Sequence, residues 1–144
     1  MTKKVGEATI RGKQVSFFAP PHSEPDFLWV DVEELAVAFL PEADAKRMVS
    51  HAQQFDPDNR AVVTAKNGDR LATIMCHAMA QGLCGFIDHL NGDAREHGPA
   101  YKDYCLASAD MEDEHGTLSG LADIIKATRN NGGPFMRGFK GRVA

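Results

Sequence analysis

The sequence lacks an uninterrupted apolar segment long enough to cross a membrane. Its most apolar stretch, LATIMCHAMAQGLCGFIDHL, is broken by His77, Gln81, Asp88 and His89, whereas a spanning helix needs about 20 predominantly apolar residues. The opening MTKKVGEATIRG is polar and has no apolar core of the kind found in secretory signals. We therefore expect a cytoplasmic protein with no membrane contact.

Cysteine is also scarce, with three in the chain, Cys76, Cys84 and Cys105. An odd number of cysteines in an expected cytoplasmic protein argues against a disulfide framework and favours free thiols. Internal repeats and low-complexity segments are absent from the sequence as well. A content of 43% hydrophobic and 25% charged residues is ordinary for a folded chain, and 144 residues suit one domain. We predict a domain over residues 1–128 and a flexible basic tail over 129–144.

Charge is unevenly distributed along the chain. The formal net charge is −4, yet no acidic residue occurs after residue 128, and basic residues dominate the first 18 positions. An acidic middle between two basic ends argues against a general nucleic-acid binder. The basic ends could still supply local phosphate contacts, or they could only solubilise the chain.

Two segments have the pattern of β-hairpins. EATIRGKQVSFFAP turns around Gly12, and RAVVTAKNGDRLATI turns at Asn67-Gly68, a pair that can take positive φ values. A loop with three prolines follows the first hairpin and leads into the apolar run FLWV. We expect this run to form a third strand.

A pair of helices should follow that strand. Asp31 can cap the first helix, and Glu34 three residues later would complete a capping box. Pro41 ends this helix and can open the second. Ala45 and Met48 then lie on one face of the second helix, and polar residues lie largely on the other.

Three more helices complete the expected fold. One ends near Leu90, one begins at Pro99, and one is capped by Thr117. The predicted fold class is α+β, with small antiparallel β-hairpins packed on four or five helices and a possible winged helix-turn-helix element. The predicted core includes Val30, Leu35, Phe39, Met48, Val49, Val63, Met75, Phe86 and Ile125.

The helix pair and the hairpin after it favour DNA binding without catalysis. In a winged helix-turn-helix the second helix presents polar and basic side chains to the major groove, while a wing contacts the backbone. Against this, the turn at Leu40-Pro41 lacks the usual glycine, and Glu42 and Asp44 would repel phosphate. The predicted DNA-binding residues are Lys46, Arg47, Ser50, His51 and Gln54 on the helix, Lys66, Asn67 and Arg70 on the hairpin, and Arg137 and Lys140 in the tail. No catalytic residue, cofactor or metal ligand is predicted.

The order of these elements resembles the BRO-N and KilA-N type domains of phage and prophage antirepressors. There a segment like WVDVEELAVAFL follows a hairpin, and a later strand pair leads into a helix, as in RAVVTAKNGDRLATIMCHAMAQGL. The resemblance covers about residues 7–90 and implies a small DNA-associated regulator of a mobile element. This sequence departs from the family pattern in the later helix, where IMCHAMAQGLCGF stands in place of an INE-GLY type segment. No functional residue is carried over from the family.

Three alternatives remain open at this point. Cys76, His77, Cys84 and His89 share one predicted helix but lack the spacing of known zinc motifs. Asp110, Glu112, Asp113, Glu114 and His115 could hold Mg²⁺ or share acid–base work, although adjacent acids in a loop are usually a solvated surface. Finally, the chain could be a protein-binding accessory factor whose acidic surface contacts no nucleic acid. Phe135 and Phe139 could then anchor a partner, and a homodimer is possible.

Overall fold

The computed structural model describes residues 2–56, 58, 60–93 and 97–131. Its strands are β1 (Lys4–Ile10), β2 (Lys13–Phe18), β3 (Trp29–Asp31), β4 (Val62–Asn67) and β5 (Arg70–Met75). Its helices are α1 (Val32–Val37), α2 (Glu42–Phe55), α3 (His77–Leu90), α4 (Pro99–His115) and α5 (Leu118–Asn131). The predicted α+β class is confirmed, and the two small antiparallel hairpins expected from the sequence belong to one five-stranded sheet.

This sheet is antiparallel, in the order β1-β2-β3-β5-β4. The short β3 joins the two hairpins, because Val30 pairs with Phe17 of β2 on one side and with Met75 of β5 on the other. Residues far apart in sequence are thereby placed on one continuous surface. The winged helix-turn-helix element is not established by this topology.

The hairpin turns differ in one detail from their prediction. In the first hairpin Arg11 and Gly12 have φ values of +51° and +77°, as expected for a turn of the I′ type. In the second, Asn67 pairs with Arg70, so the turn consists of Gly68 and Asp69 rather than Asn67 and Gly68. Asn67 is therefore the last residue of β4, and its side chain can serve another purpose.

The start of α1 is only partly as predicted. The Asp31 side chain accepts a hydrogen bond of 3.0 Å from the backbone N–H of Glu34, which confirms the N-cap. The Glu34 carboxylate, however, accepts a 2.8 Å hydrogen bond from the backbone N–H of Ser16. Glu34 therefore ties α1 to β2 instead of closing a capping box.

The core lies between the sheet and the helices packed on it. Of the predicted core residues, Val30, Leu35, Met48 and Met75 are buried, and Phe39, Val49 and Val63 are partly buried. Two predictions are wrong, because Phe86 is 51% exposed and Ile125 is 58% exposed. The largest side chains that are fully buried include Trp29, Tyr104, Phe17, Phe18 and Leu35.

Helix α3 buries a different face from the predicted one. In the sequence, apolar residues recur at helical spacing from Leu71 to Leu90 and predict that Gly82 and Phe86 face the core, but residues up to Met75 belong to a strand. Side chains repeat about every 2 residues in a strand and about every 3.6 in a helix. Helical spacing that is counted from strand residues therefore predicts the wrong buried face of the helix. The residues of α3 that are buried are Ala80, Cys84, Ile87 and Asp88.

Two further boundaries differ from the prediction. The acidic run that ends at His115 was expected in a loop but belongs to α4, where Met111 is buried. Residues 129–131, assigned to the tail, are helical and end α5. The rest of the predicted tail lies outside the described residues.

Candidate functional site

The outer face of α2 carries the predicted DNA-reading residues. Ala45, Met48 and Ala52 are buried on the inner face, since the helix packs on α1. The opposite face therefore turns to solvent. The structure brings together five predicted residues there, all exposed: Lys46, Arg47, Ser50, His51 and Gln54.

The two basic residues of this face pair with acids of the same helix. Lys46 lies 3.3 Å from Glu42, and Arg47 lies 2.6 Å from Asp44. The side chains of Lys46 and Arg47 are nevertheless 63% and 73% exposed. Exposed pairs at this spacing are worth about 0.3–0.5 kcal/mol. They are therefore weak enough to exchange for contacts with a partner.

The β4–β5 hairpin leaves fewer of its predicted residues free for DNA than expected. Lys66 is exposed on β4. Asn67 and Arg70 instead contact buried groups: the Asn67 amide donates to Ser16 (3.0 Å) and to Asp31 (2.9 Å), and Arg70 forms an ion pair with Asp31. Two of the three predicted hairpin residues thus hold the fold together.

Asp31 is the centre of this polar network. Its side chain is 0% exposed and accepts hydrogen bonds from the backbone of Glu34, from Asn67 and from Arg70. Burial acts to lower the pKa of Arg70, but the carboxylates of Asp31, Glu34 and Glu33 outweigh it and raise that pKa. The guanidinium therefore stays charged and anchors the hairpin to the start of α1.

The remaining candidate residues lie elsewhere. Arg137 and Lys140 fall outside the described residues. Cys76 and Cys84 are buried, which raises the pKa of the Cys76 thiol to about 11 and that of Cys84 further. Both thiols are thus protonated near neutral pH, as expected of small apolar core residues. Within the described residues, no three His, Cys, Asp or Glu side chains are placed to hold a metal ion.

A second feature, which we call the acidic cleft, was not anticipated from the sequence. It is a cavity of about 990 Å³ between the proline-rich loop (residues 19–28), the start of α3, the part of α4 from Cys105 to His115 and the first turns of α5. No residue of α2 or of the β4–β5 hairpin lines it among those described. The cleft and the outer face of α2 are therefore separate surfaces.

Hydrogen bonds fix the proline-rich loop as one wall of the cleft. Asp26 accepts from the Trp29 indole at 2.9 Å and lies 2.9 Å from His22. Glu112 of α4 accepts from the backbone N–H of Leu28 at 2.6 Å. Burial raises the pKa of Glu112, although the Leu28 hydrogen bond opposes this. A half-buried carboxylate thus faces the cleft.

His77 forms the floor of the cleft. Its Nδ1 lies 2.7 Å from the Tyr104 hydroxyl, and its ring lies 4.8 Å from the Phe27 ring, measured between centroids. Burial lowers the pKa of His77 and outweighs Asp26, which acts in the opposite direction. The imidazole is therefore neutral near pH 7.

The sequence held only a partial signal for this cleft. The proline-rich loop and the acidic run are both visible in the sequence, but nothing in their spacing shows that they meet. The contact between Leu28 and Glu112 joins residues 84 positions apart. Local patterns cannot reveal such a contact, because it depends on how the helices pack.

The functional class of this protein is not given by its described helices or by similarity to known proteins. Within the described residues, no helix has the length and apolar character required to cross a membrane. No protein-family model matches the sequence. Comparison with curated proteins and with solved structures likewise gave no significant match.

Proposed function

We propose that this protein is a small, non-enzymatic DNA-binding regulator that reads duplex DNA with the outer face of α2. The observation that carries the proposal is the exposure of all five predicted residues on one face of that helix. The order of the elements, which resembles that of prophage antirepressor domains although no family model matches the chain, favours the same function. In this proposal α1, the turn and α2 form the helix-turn-helix, and β4–β5 is the wing.

The order and packing of the elements support this arrangement. Residues 38–41 connect α1 to α2, and the two helices contact each other. The hairpin follows α2 directly in the chain. A single exposed helix fits the major groove of B-DNA, which is about 12 Å wide.

Each exposed side chain then has a specific role. Lys46 and Arg47 contact phosphates or guanine, since their charged groups lie at the end of long side chains. Ser50, His51 and Gln54 supply hydrogen bonds to base edges. Lys66 of the hairpin contacts a neighbouring phosphate.

The acids at the start of α2 allow a sharp test. Glu42 and Asp44 repel phosphate and also compete for the two cations that would bind it. The double variant Glu42→Gln/Asp44→Asn should therefore bind DNA more tightly than the original chain. The double variant Lys46→Ala/Arg47→Ala should bind more weakly, and its salt dependence should fall by about one phosphate contact for each residue removed.

The measurement is fluorescence anisotropy with a random-sequence duplex, from about 50 to 200 mM salt. Lys102→Ala/Lys126→Ala is the matched control, because it removes two exposed cations from α4 and α5. This control should leave binding nearly unchanged. An equal loss in both lysine-containing doubles, or no binding of duplex at low salt, would contradict the proposal.

A protein-binding accessory factor is the second candidate. It is favoured by α4, which has no Lys or Arg between Asp103 and His115 and exposes Asp110, Asp113 and Glu114. Such a surface suits a basic protein partner. In this case the Glu42→Gln/Asp44→Asn variant would gain no affinity for DNA. Whether the chain forms a homodimer stays a prediction.

A further inference from the structure

We propose that the acidic cleft binds an organic cation, namely an amine or guanidinium group attached to an apolar body. The site is separate from the outer face of α2. The inference therefore does not depend on the proposed DNA binding. It follows from the charge, the shape and the free groups of the cleft.

Carboxylates outnumber the other ionisable side chains of the cleft. Three histidines line it, His22, His77 and His115, and no Lys or Arg does so among the described residues, whereas the carboxylates number five: Glu24, Asp26, Glu112, Asp113 and Asp123. Carboxylates that share a concave surface add their fields and attract a cation into it. An anionic ligand is thereby disfavoured.

The walls of the cleft are largely apolar. Pro25, Phe27, Leu121 and Ile124 lie among the lining residues. A cavity of about 990 Å³ is at the upper end of the usual range for small-molecule sites. A bare metal ion would leave these walls uncovered, whereas an aryl or alkyl amine would cover them. The Phe27 ring could also face the cation.

Two of the acids are available for a ligand. Within the described part of the chain, Asp113 and Asp123 have no hydrogen-bonding or ionic partner. Asp26 is already held by the Trp29 indole of β3, and Glu112 by the backbone N–H of Leu28. The cleft thus combines fixed carboxylates inside with free carboxylates at its rim.

The pKa of Glu112 also favours a cationic ligand in the cleft. Its carboxylate is half-buried, and burial raises its pKa because the charged form loses hydration. A cation beside the carboxylate would compensate the negative charge that has lost its hydration. Binding of an amine should therefore favour the ionised form of Glu112.

The test is a titration of the full chain with 2-phenylethylamine. Binding is measured by NMR from the chemical shifts of the backbone amides. The amine should move the signals of Leu28, Gln81, Ser108 and Glu112 with saturation at millimolar concentration. The isosteric neutral 2-phenylethanol and the anion 3-phenylpropionate should bind at least about tenfold more weakly. A capped Gly-Phe-Arg-Gly peptide distinguishes sources: tighter binding of the peptide than of the amine indicates a protein side chain as the natural ligand, and the reverse indicates a free amine.

A pair of double variants makes the result specific. Asp113→Asn/Asp123→Asn should weaken amine binding about fivefold, since two exposed carboxylates are removed from the rim. Asp110→Asn/Glu114→Gln removes the same charge from exposed positions outside the cleft and should change little. Equal losses in the two doubles would overturn the proposal. It would also be overturned by equal binding of the three probes, or by no shifts up to about 10 mM amine.

Discussion

At the scale of single residues, Asp31 matters most for the position of the candidate DNA-binding elements. It caps α1 and also accepts hydrogen bonds from Asn67 and Arg70 of the hairpin. One buried carboxylate thus fixes the start of the helix pair and the following hairpin relative to each other. Its sequence position reveals the cap, but the hairpin partners are 36 and 39 residues away.

Replacing Asp31 with alanine should therefore destabilise the protein strongly. The change removes the cap and leaves the Asn67 amide without its buried acceptor, whereas Arg70 keeps Glu33 and Glu34 as partners, so the expected loss is about 2–4 kcal/mol. Asp31→Asn, which keeps an acceptor for the cap, should lose less. Urea denaturation measures both, with the exposed Asp110→Ala as control. A loss below about 1 kcal/mol for Asp31→Ala would show that the network does not hold the fold.

At the scale of elements, α3 and α4 are joined by an unusual cap. The Asp88 carboxylate of α3 accepts hydrogen bonds from the backbone N–H groups of Ala100 (2.8 Å) and Tyr101 (3.0 Å) at the start of α4. A Cβ on Gly98 would lie 2.5 Å from Cγ of Asp88. The glycine is thus required by the close approach of a side chain.

Two glycine substitutions should consequently have opposite effects. Gly98→Ala should cost about 1–3 kcal/mol, because Asp88 must move away from the cap. Gly82→Ala should stabilise the protein by about 0.5–1 kcal/mol, because the position is helical and an added Cβ meets nothing within 4 Å. Thermal and urea unfolding of the two variants check this. Destabilisation by Gly82→Ala would contradict the open space around this position.

Elements with strong local signals were predictable from the sequence. Both hairpins, the Asp31 cap and the start of α4 at Pro99 follow from turn and cap chemistry. The buried face of α3 could not be predicted in this way, because the apolar spacing that we counted begins in strand β5 and not in the helix. Asp88 is buried there as a cap for another helix, which no apolar pattern can indicate.

The candidate sites divide in the same way. The exposed face of α2 follows from its amphipathic pattern, and the structure places those residues together. The contacts of Asn67 and Arg70 with Asp31 depend on strand pairing that brings β5 beside β3. The acidic cleft depends on packing between the loop, α4 and α5. Only the local part of each site could be predicted.

At the scale of the whole molecule, ionisable groups lie in the joint between the loop, α3 and α4. His77 sits there against Tyr104, Ser108 and Phe27. Its pKa is lowered from the ordinary value of 6.5 by burial, so the folded chain holds this proton less tightly than the unfolded chain. Stability from the neutral imidazole is then complete above pH 6.5 and is lost as the pH falls through the lower folded pKa.

The His77 contribution to stability should therefore be lost on acidification, and His77→Asn should remove that part of the pH dependence. Free energies of unfolding are compared at about pH 7.5 and 5.5, for the original chain and for the variant. Asparagine keeps a polar atom near Tyr104 but cannot be protonated, so its difference between the two pH values should be smaller even where its stability is lower at both. His51→Asn, at an exposed position of α2, is the control and should keep the original pH dependence. Because Glu112 is present in every variant, its raised pKa contributes equally and does not alter the comparison. An unchanged pH dependence in His77→Asn would mean that the joint tolerates a charged imidazole.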